Sequence, residues 1–190
     1  MSRHFYRGML LLSAGLLWVG CQSGGSGSSE ADQAAFVSDA RAASNRLELS
    51  LKRELTNALK DGSEAAAIRI CRERATGVGV RVSQESELRV GRVAVPGRNR
   101  NPDNAPSPAQ AAALARFEAD PALVDTVIVE EGKSTYMRPI RIGVALCLRC
   151  HGSEADIASS VRAALADAYP QDRGVDFAMG DLRGAFVVRE

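Results

Sequence analysis

The sequence has no excess of charge of either sign. Its 24 Lys and Arg residues nearly balance its 23 Asp and Glu residues, which leaves a formal net charge of +1. Nucleic-acid binding draws much of its affinity from clustered positive charge, so we expect no nucleic-acid partner. A length of 190 residues also excludes two large domains, and a hydrophobic content of 45% is sufficient for one packed core.

The sequence also lacks an apolar run long enough for a transmembrane helix. Residues 9–19 are mostly apolar, but a membrane-spanning helix needs about 20 such residues. Arg3 and Arg7 precede this run and Gly20-Cys21 follows it, which is the pattern of an export signal. A Gly/Ser-rich stretch with the composition of a flexible tether comes next.

Cys21 at the end of this segment resembles the lipidated cysteine of bacterial lipoproteins. The sequence therefore predicts a signal peptide over residues 1–20, a lipidated Cys21 with a tether over residues 21–33, and one folded domain over residues 34–190. A plain cleaved signal and an uncleaved anchor are the alternatives to lipidation, and all three place the domain outside the cytoplasm. Such a protein would lie on the periplasmic side of a membrane and contact that membrane through its lipid anchor. Gln22, rather than Asp, after the cysteine favours the outer membrane.

Histidine is almost absent. The chain has two histidines, and His4 lies in the predicted signal peptide, so His151 is the only histidine of the mature domain. A cofactor held by two histidines of one chain is therefore excluded.

Cys147, Cys150 and His151 form the motif C-x-x-C-H, which attaches c-type haem. Two thiols at this spacing reach the two vinyl groups on one edge of a porphyrin, and the next residue then places its imidazole beneath the iron. Attachment of this kind takes place outside the cytoplasm in bacteria, in agreement with the export signal. A zinc site would need four ligands, including Cys71 and two adjacent residues that bind one ion with difficulty. A thioredoxin-like thiol pair leaves His151 without a role. We therefore predict one covalently bound haem c with His151 as an axial ligand to iron.

The second axial position has several candidates. They are Cys71, Met137, Met179 and the lysines of the mature chain. Methionine ligates iron in cytochromes c, although most methionines fill cores. Cys71 lies in a predicted helix over residues 63–75, where Ala67 and Ala75 share its face. This small-residue face would let a flat cofactor approach closely, whereas the plainer interpretation is a buried cysteine that acts as a small hydrophobic residue.

Hydrophobic spacing predicts an α+β domain. A period of three to four residues indicates a long N-terminal helix and flanking helices, and alternation indicates an antiparallel sheet of about five strands. The predicted helices cover residues 30–61, 63–75, 109–119 and 155–169. The predicted strands cover residues 78–82, 88–95, 124–130, 134–142 and 182–189, and a loop covers residues 96–108.

Five sequence motifs occur in a characteristic order. They are Arg100-Asn101-Pro102-Asp103-Asn104-Ala105-Pro106, Pro139-Ile140, Cys147-Leu148-Arg149-Cys150-His151-Gly152, Tyr169-Pro170-Gln171-Asp172 and Gly180-Asp181-Leu182-Arg183-Gly184-Ala185. Together with a cysteine on an early helix, this set resembles the c-type haem domains of the Tll0287-like family, also known as DUF3365, over residues 35–190. The resemblance implies a PAS-like haem domain with a redox or signalling role. It also implies histidine and cysteine as the axial pair, which corresponds to His151 and Cys71.

These observations predict a redox or small-gas sensor that needs a partner protein. A periplasmic single-haem electron-transfer protein is the alternative. No enzyme activity is expected, because His151 is used by iron and no second histidine remains as an acid–base group. Arg100 and Asn101 are candidates for holding haem propionates, since arginine binds carboxylates in bidentate fashion, but the loop is equally consistent with ordinary surface charges. The N-terminal helix is the expected surface for a homodimer.

Overall fold

The computed structural model describes residues 29–190. The predicted signal peptide, the lipidation site Cys21 and the start of the tether lie outside these residues. The first helix begins at Glu30, so regular structure starts before the predicted domain boundary at residue 34. Within the described range, no helix combines the length and the hydropathy that crossing a bilayer requires.

Five α-helices and four β-strands make up the described part of the chain, which confirms the predicted α+β class. The helices are α1 (Glu30–Asp61), α2 (Glu64–Ser86), α3 (Pro108–Ala119), α4 (Ala145–His151) and α5 (Ser159–Ala168). The strands are β1 (Arg89–Ala94), β2 (Thr126–Glu130), β3 (Lys133–Arg141) and β4 (Leu182–Arg189), and a 3-10 helix spans Pro102–Asn104. The sheet therefore has four strands rather than about five, and the PAS-like assignment stays a prediction.

The predicted strand over residues 78–82 is wrong, because this segment continues α2. Val78 and Val82 are four positions apart and therefore share one helix face, and both are buried in the core against α1. Alternating apolar residues over so short a segment fit a strand as well as a helix face. Tertiary packing against α1 therefore decides between the two.

Helix α1 is the long N-terminal helix that the spacing of apolar residues predicts. Ser29 begins it with a capping box, in which the Ser29 hydroxyl accepts from the Asp32 backbone and the Asp32 carboxylate accepts from the Ser29 backbone, each at 3.1 Å. Its buried face carries Phe36, Ala40, Ala43 and Leu47. The helix ends before Gly62, and Ser63 then caps α2.

The sheet has the strand order β1-β4-β3-β2, and all neighbouring strands are antiparallel. Successive residues of a strand point to opposite faces, so Tyr136 of β3 packs with α1 while Met137 packs with α3. A third cluster joins α2 to α5 through Ile68, Val161 and Leu165. This cluster holds α2 next to the segment that carries the C-x-x-C-H motif.

Candidate functional site

A cavity of about 1080 Å³ lies between α1, α2, strand β1 and the C-x-x-C-H helix α4. Its volume is slightly above the ~300–1,000 Å³ that ligand pockets usually occupy. It is lined by the predicted attachment and axial residues Cys71, Cys147, Cys150 and His151, and by the two candidates for propionate binding, Arg100 and Asn101. Residues that are far apart in the sequence thus converge on one cavity large enough for a large planar cofactor.

Helix α4 places the three residues of the motif on one short segment. Cys147 and Cys150 are one helical turn apart, and His151 is the last residue of the helix. The Gly152 amide closes the helix by donating to the Leu148 carbonyl at 2.8 Å. A Cβ at Gly152 would lie 2.7 Å from that carbonyl oxygen, so glycine is required after the histidine. Cys147 and Cys150, like Cys71, are free thiols.

His151 is held by one of its two ring nitrogens. Nδ1 lies 2.7 Å from the Gly174 carbonyl oxygen, which can only accept, so Nδ1 carries the proton and Nε2 keeps its lone pair. The pKa of His151 is lowered from 6.5 to about 3, mainly by burial and to a smaller extent by the positive charges of Arg100 and Arg183. The imidazole is therefore neutral at physiological pH, which is the form that binds metal. Donation of the other ring N–H to a carbonyl is the usual way in which a ligating histidine is oriented.

Cys71 lies on the α2 wall of the same cavity. Ala67 and Ala75, the residues one turn before and after it, also line the cavity, so this face carries small side chains as the sequence analysis predicts. The pKa of the Cys71 thiol is raised, mainly by burial and to a smaller extent by the carboxylate of Glu54. The positive charges of Arg92 and Arg74 act in the opposite direction. In the absence of a metal, the thiol form is therefore favoured.

Neither methionine that the sequence analysis considers as a ligand lines the cavity. Met137 is fully buried on the other face of the sheet, where it packs with α3. Met179 is 51% exposed in the turn before β4. Among the lysines, Lys52 is the one that lines the cavity, and its ammonium group pairs with Glu48 at 2.6 Å.

Arg100 and Asn101 line the cavity but use their side chains within the protein. Arg100 donates to Asp172 at 2.9 Å, to the Cys150 carbonyl at 2.5 Å and to the Gly174 carbonyl at 3.3 Å. The Asn101 side chain caps the 3-10 helix by accepting from the Asp103 amide at 3.1 Å. This geometry does not favour the propionate-binding role, which stays a prediction.

Arg92 is a cavity residue that the sequence analysis does not single out. It lies on β1 between Val90 and Ala94, which are buried and also line the cavity. Its side chain forms no hydrogen bond or ion pair with any residue of the range 29–190, and desolvation of the guanidinium lowers its pKa. The sequence could have indicated Arg92, because it is a charged residue at a position of β1 where the alternation of the strand predicts an inward-facing apolar residue.

The cavity wall carries an excess of positive charge. Arg183 also lines it, and burial together with the charges of Arg100 and Arg92 lowers the pKa of Arg183 to about 10. Asp172 is the carboxylate that opposes this effect. A cavity of this kind is suited to a ligand that brings negative charge. Among the residues that the structure describes, no group of three His, Cys, Asp or Glu side chains could hold a metal ion by itself.

Comparison with known proteins agrees with these features. The model of the Tll0287-like family matches residues 28–190, whereas no curated protein matches the chain. The crystal structure of the cyanobacterial heme-protein Tll0287 is similar, with a TM-score of 0.60 and 22% sequence identity over 86% of this chain and 96% of that chain. The two proteins therefore share a fold.

Proposed function

The chain belongs to the Tll0287-like family, and we propose that it is an exported protein with one haem c bound covalently in this cavity. The observation that carries the proposal is the convergence of C-x-x-C-H and Cys71 on one cavity. Cys147 and Cys150 would attach the haem through thioether bonds, and His151 and Cys71 would ligate its iron. The similar solved structure is that of a heme-protein, which supports the same assignment.

The residues present fit such a group in three respects. Nε2 of His151 is a neutral acceptor, because Nδ1 is engaged by Gly174. The thiols of α4 are unbonded and lie at the spacing that two vinyl groups need. Arg92 is a cation without a protein partner among the described residues, and carboxylates such as haem propionates are natural partners for arginine. We therefore propose Arg92 as a propionate-binding residue.

A redox or small-gas sensor is the role that the position of Cys71 favours. When bound, haem supplies one-electron chemistry and an iron atom that accepts small gases. Cys71 is the residue on α2 that would be displaced by such a gas, and its neighbours on that face are alanines that leave room for one. Because α2 packs against α5 through Ile68, displacement of Cys71 would change the packing of a surface helix that a partner protein can contact.

Electron transfer is the second candidate, and the surface around α4 favours it. Val144 and Leu146 are 58% and 40% exposed beside the attachment cysteines. An exposed apolar rim next to a haem edge suits the small, transient contacts of redox partners. We propose no enzyme activity. Of the three carboxylates that line the cavity, Glu54 and Glu64 form ion pairs with arginines, and Asp103 is exposed on the 3-10 helix.

The proposed location follows from the predicted export signal. Thioether attachment takes place outside the cytoplasm in bacteria, so the chain is proposed to lie on the periplasmic side, anchored through Cys21. A homodimer through α1 stays a prediction, and Leu49 is an apolar residue on that helix with 68% exposure.

The test is to express the full chain with its export signal together with a haem-maturation system. Absorption and low-temperature EPR spectra are recorded for the oxidised wild type, for Cys71→Ala and for Met179→Leu as a matched control. We expect a low-spin ferric thiolate signal that disappears in Cys71→Ala and persists in Met179→Leu. Carbon monoxide binding to the reduced wild type favours a sensor, whereas its absence with fast electron exchange favours electron transfer.

Two results would contradict parts of the proposal. If Cys71→Ala and the wild type have identical spectra, Cys71 is a packing residue and not a ligand. If denatured wild type carries no covalent haem, the central assignment is wrong. Cys147→Ala and Cys150→Ala should each remove one thioether bond, which the absorption maximum of the reduced pyridine complex reports.

A further inference from the structure

We infer that Arg100 and Asp172 are positioning residues that hold the Gly174 carbonyl against His151 and thereby fix which ring nitrogen of His151 carries the proton. We call Arg100, Asp172 and Gly174 the proximal clamp. The consequence for iron rests on the proposed function, but the position of the proton is a property of the chain alone.

Asp172 organises the clamp from a buried position. Its Oδ1 accepts from the Gly174 amide at 2.7 Å, and its Oδ2 accepts from Arg100 Nε at 2.9 Å. The side chains of this ion pair are only 12% and 11% exposed, so solvent screens it weakly. One carboxylate therefore fixes both the peptide that contacts His151 and the arginine next to it.

Arg100 connects the clamp to the helix that carries the histidine. Its Nη2 donates to the Cys150 carbonyl at 2.5 Å and to the Gly174 carbonyl at 3.3 Å. The last carbonyls of a helix lack partners within that helix, so Arg100 completes the end of α4 from outside. His151 and Gly174 are thereby held in one frame, although 23 positions separate them in sequence.

A side chain at Gly174 would crowd the clamp. A Cβ there would lie 2.8 Å from Arg183 Nη2, 3.2 Å from Asp172 Oδ1 and 3.3 Å from the Cβ of Arg100. The carbonyl can approach the imidazole to 2.7 Å because the surrounding groups close directly onto the glycine backbone.

A competing partner shows what the clamp prevents. Arg183 Nε, which can only donate, lies 3.4 Å from the same Nδ1 of His151. If the Gly174 carbonyl withdraws, Nδ1 accepts from Arg183 and the single proton of the neutral ring moves to Nε2. Nε2 then has no lone pair for a metal. The clamp selects the ligand-competent tautomer against this alternative.

The test reads the tautomer directly in the haem-free full chain by nitrogen-15 NMR of the imidazole. A His4→Gln background leaves His151 as the single histidine. We expect a protonated Nδ1 and an unprotonated Nε2 in this background. In Asp172→Asn, whose amide cannot accept from both Arg100 and Gly174 as the carboxylate does, the proton should move to Nε2. Adding Arg183→Met to Asp172→Asn removes the competing donor, because methionine has no N–H group in its side chain, and should restore part of the original tautomer.

Asp181→Asn is the matched control. Asp181 accepts from the Ala178 amide at 2.8 Å, the same local role that Asp172 has toward Gly174, but it forms no hydrogen bond with His151 or with the proximal clamp. It should leave the tautomer unchanged. If Asp172→Asn does not fold, Arg100→Lys is measured in its place. This variant keeps the positive charge but lacks the planar guanidinium that donates to several acceptors at once. The proton should therefore move to Nε2 in this variant as well.

The outcomes separate this inference from the proposed function. The inference is overturned if the wild-type ring already carries its proton on Nε2, or if the proton stays on Nδ1 in the folded clamp variants. It is also overturned if Asp181→Asn moves the proton as Asp172→Asn does. Failure of the wild type to take up haem would overturn the proposed function and leave the NMR result valid. In the haem-loaded chain, Asp172→Asn should change the EPR g-values and increase the high-spin fraction, whereas Asp181→Asn should not.

Discussion

The haem-free protein should lose stability as the pH falls below 6.5, and His151 should be a principal cause. Burial and the charges of Arg100 and Arg183 lower the pKa of the folded imidazole to about 3, against 6.5 for an ordinary histidine. Between these values the unfolded chain binds a proton that the folded chain does not. Stability therefore rises with pH across this window and falls as the pH drops through it.

The size of this effect follows from the two pKa values. Each pKa unit corresponds to about 1.4 kcal/mol, so the loss should reach ~2 kcal/mol at pH 5 and approach ~5 kcal/mol near pH 3. A domain of this size is typically stable by about 5–15 kcal/mol. Protonation of one histidine in the unfolded state is therefore sufficient to remove a large part of the stability.

Urea unfolding of the haem-free wild type and of His151→Gln, at pH 7.5 and at pH 5, measures the effect. Other groups titrate in both proteins, so the relevant quantity is the difference between their pH dependences. We expect the wild type to lose about 2 kcal/mol more than His151→Gln between the two pH values. Equal losses in the two proteins would refute the argument, since His151 would then titrate normally in the folded state.

Three further predictions concern the sheet and the cavity. Gly184→Ala should destabilise the protein by about 3 kcal/mol or more, because a Cβ at Gly184 would overlap the Val93 carbonyl oxygen across the β1–β4 ladder. Urea unfolding measures this loss, and a value below about 1 kcal/mol would contradict the prediction. Tyr136→Phe should cost about 2 kcal/mol in the same assay, because the buried Tyr136 hydroxyl donates to Asp125 at 2.9 Å; an unchanged unfolding midpoint would count against that bond. In the haem-loaded protein, Arg92→Gln should lower the midpoint potential relative to Arg92→Lys, since it removes a positive charge from the cavity; equal potentials would exclude Arg92 as a partner of the haem.

Several elements could be predicted from the sequence because their causes are local. The boundaries of β4 at residues 182–189 are confirmed, as expected for a strongly apolar segment that follows a glycine turn. Helix α1 is confirmed because its apolar positions repeat at helical spacing over 32 residues, which no other periodic structure accommodates. The prediction of haem attachment at C-x-x-C-H also rests on a local pattern, since two thiols and an imidazole on one short segment can reach one porphyrin.

The rest depends on contacts between distant segments. The extension of α2 through Val78 and Val82 is decided by packing against α1, because a five-residue apolar pattern fits either period. Arg100 is a candidate for haem binding on the sequence, whereas the fold brings it to Asp172 and to the end of α4. No local pattern indicates that a carboxylate 72 positions away forms its ion pair.

The sequence by itself determined that His151 is the single histidine of residues 29–190 and that it lies in a C-x-x-C-H motif. Only the tertiary structure decided that Cys71, rather than Met137 or Met179, shares the cavity with His151. It also decided which nitrogen of His151 keeps its lone pair, because that choice depends on the Gly174 carbonyl. The physical reason is the same in both cases: the chemical type of a side chain is encoded at its own position, whereas its neighbours are brought to it by the packing of the whole chain.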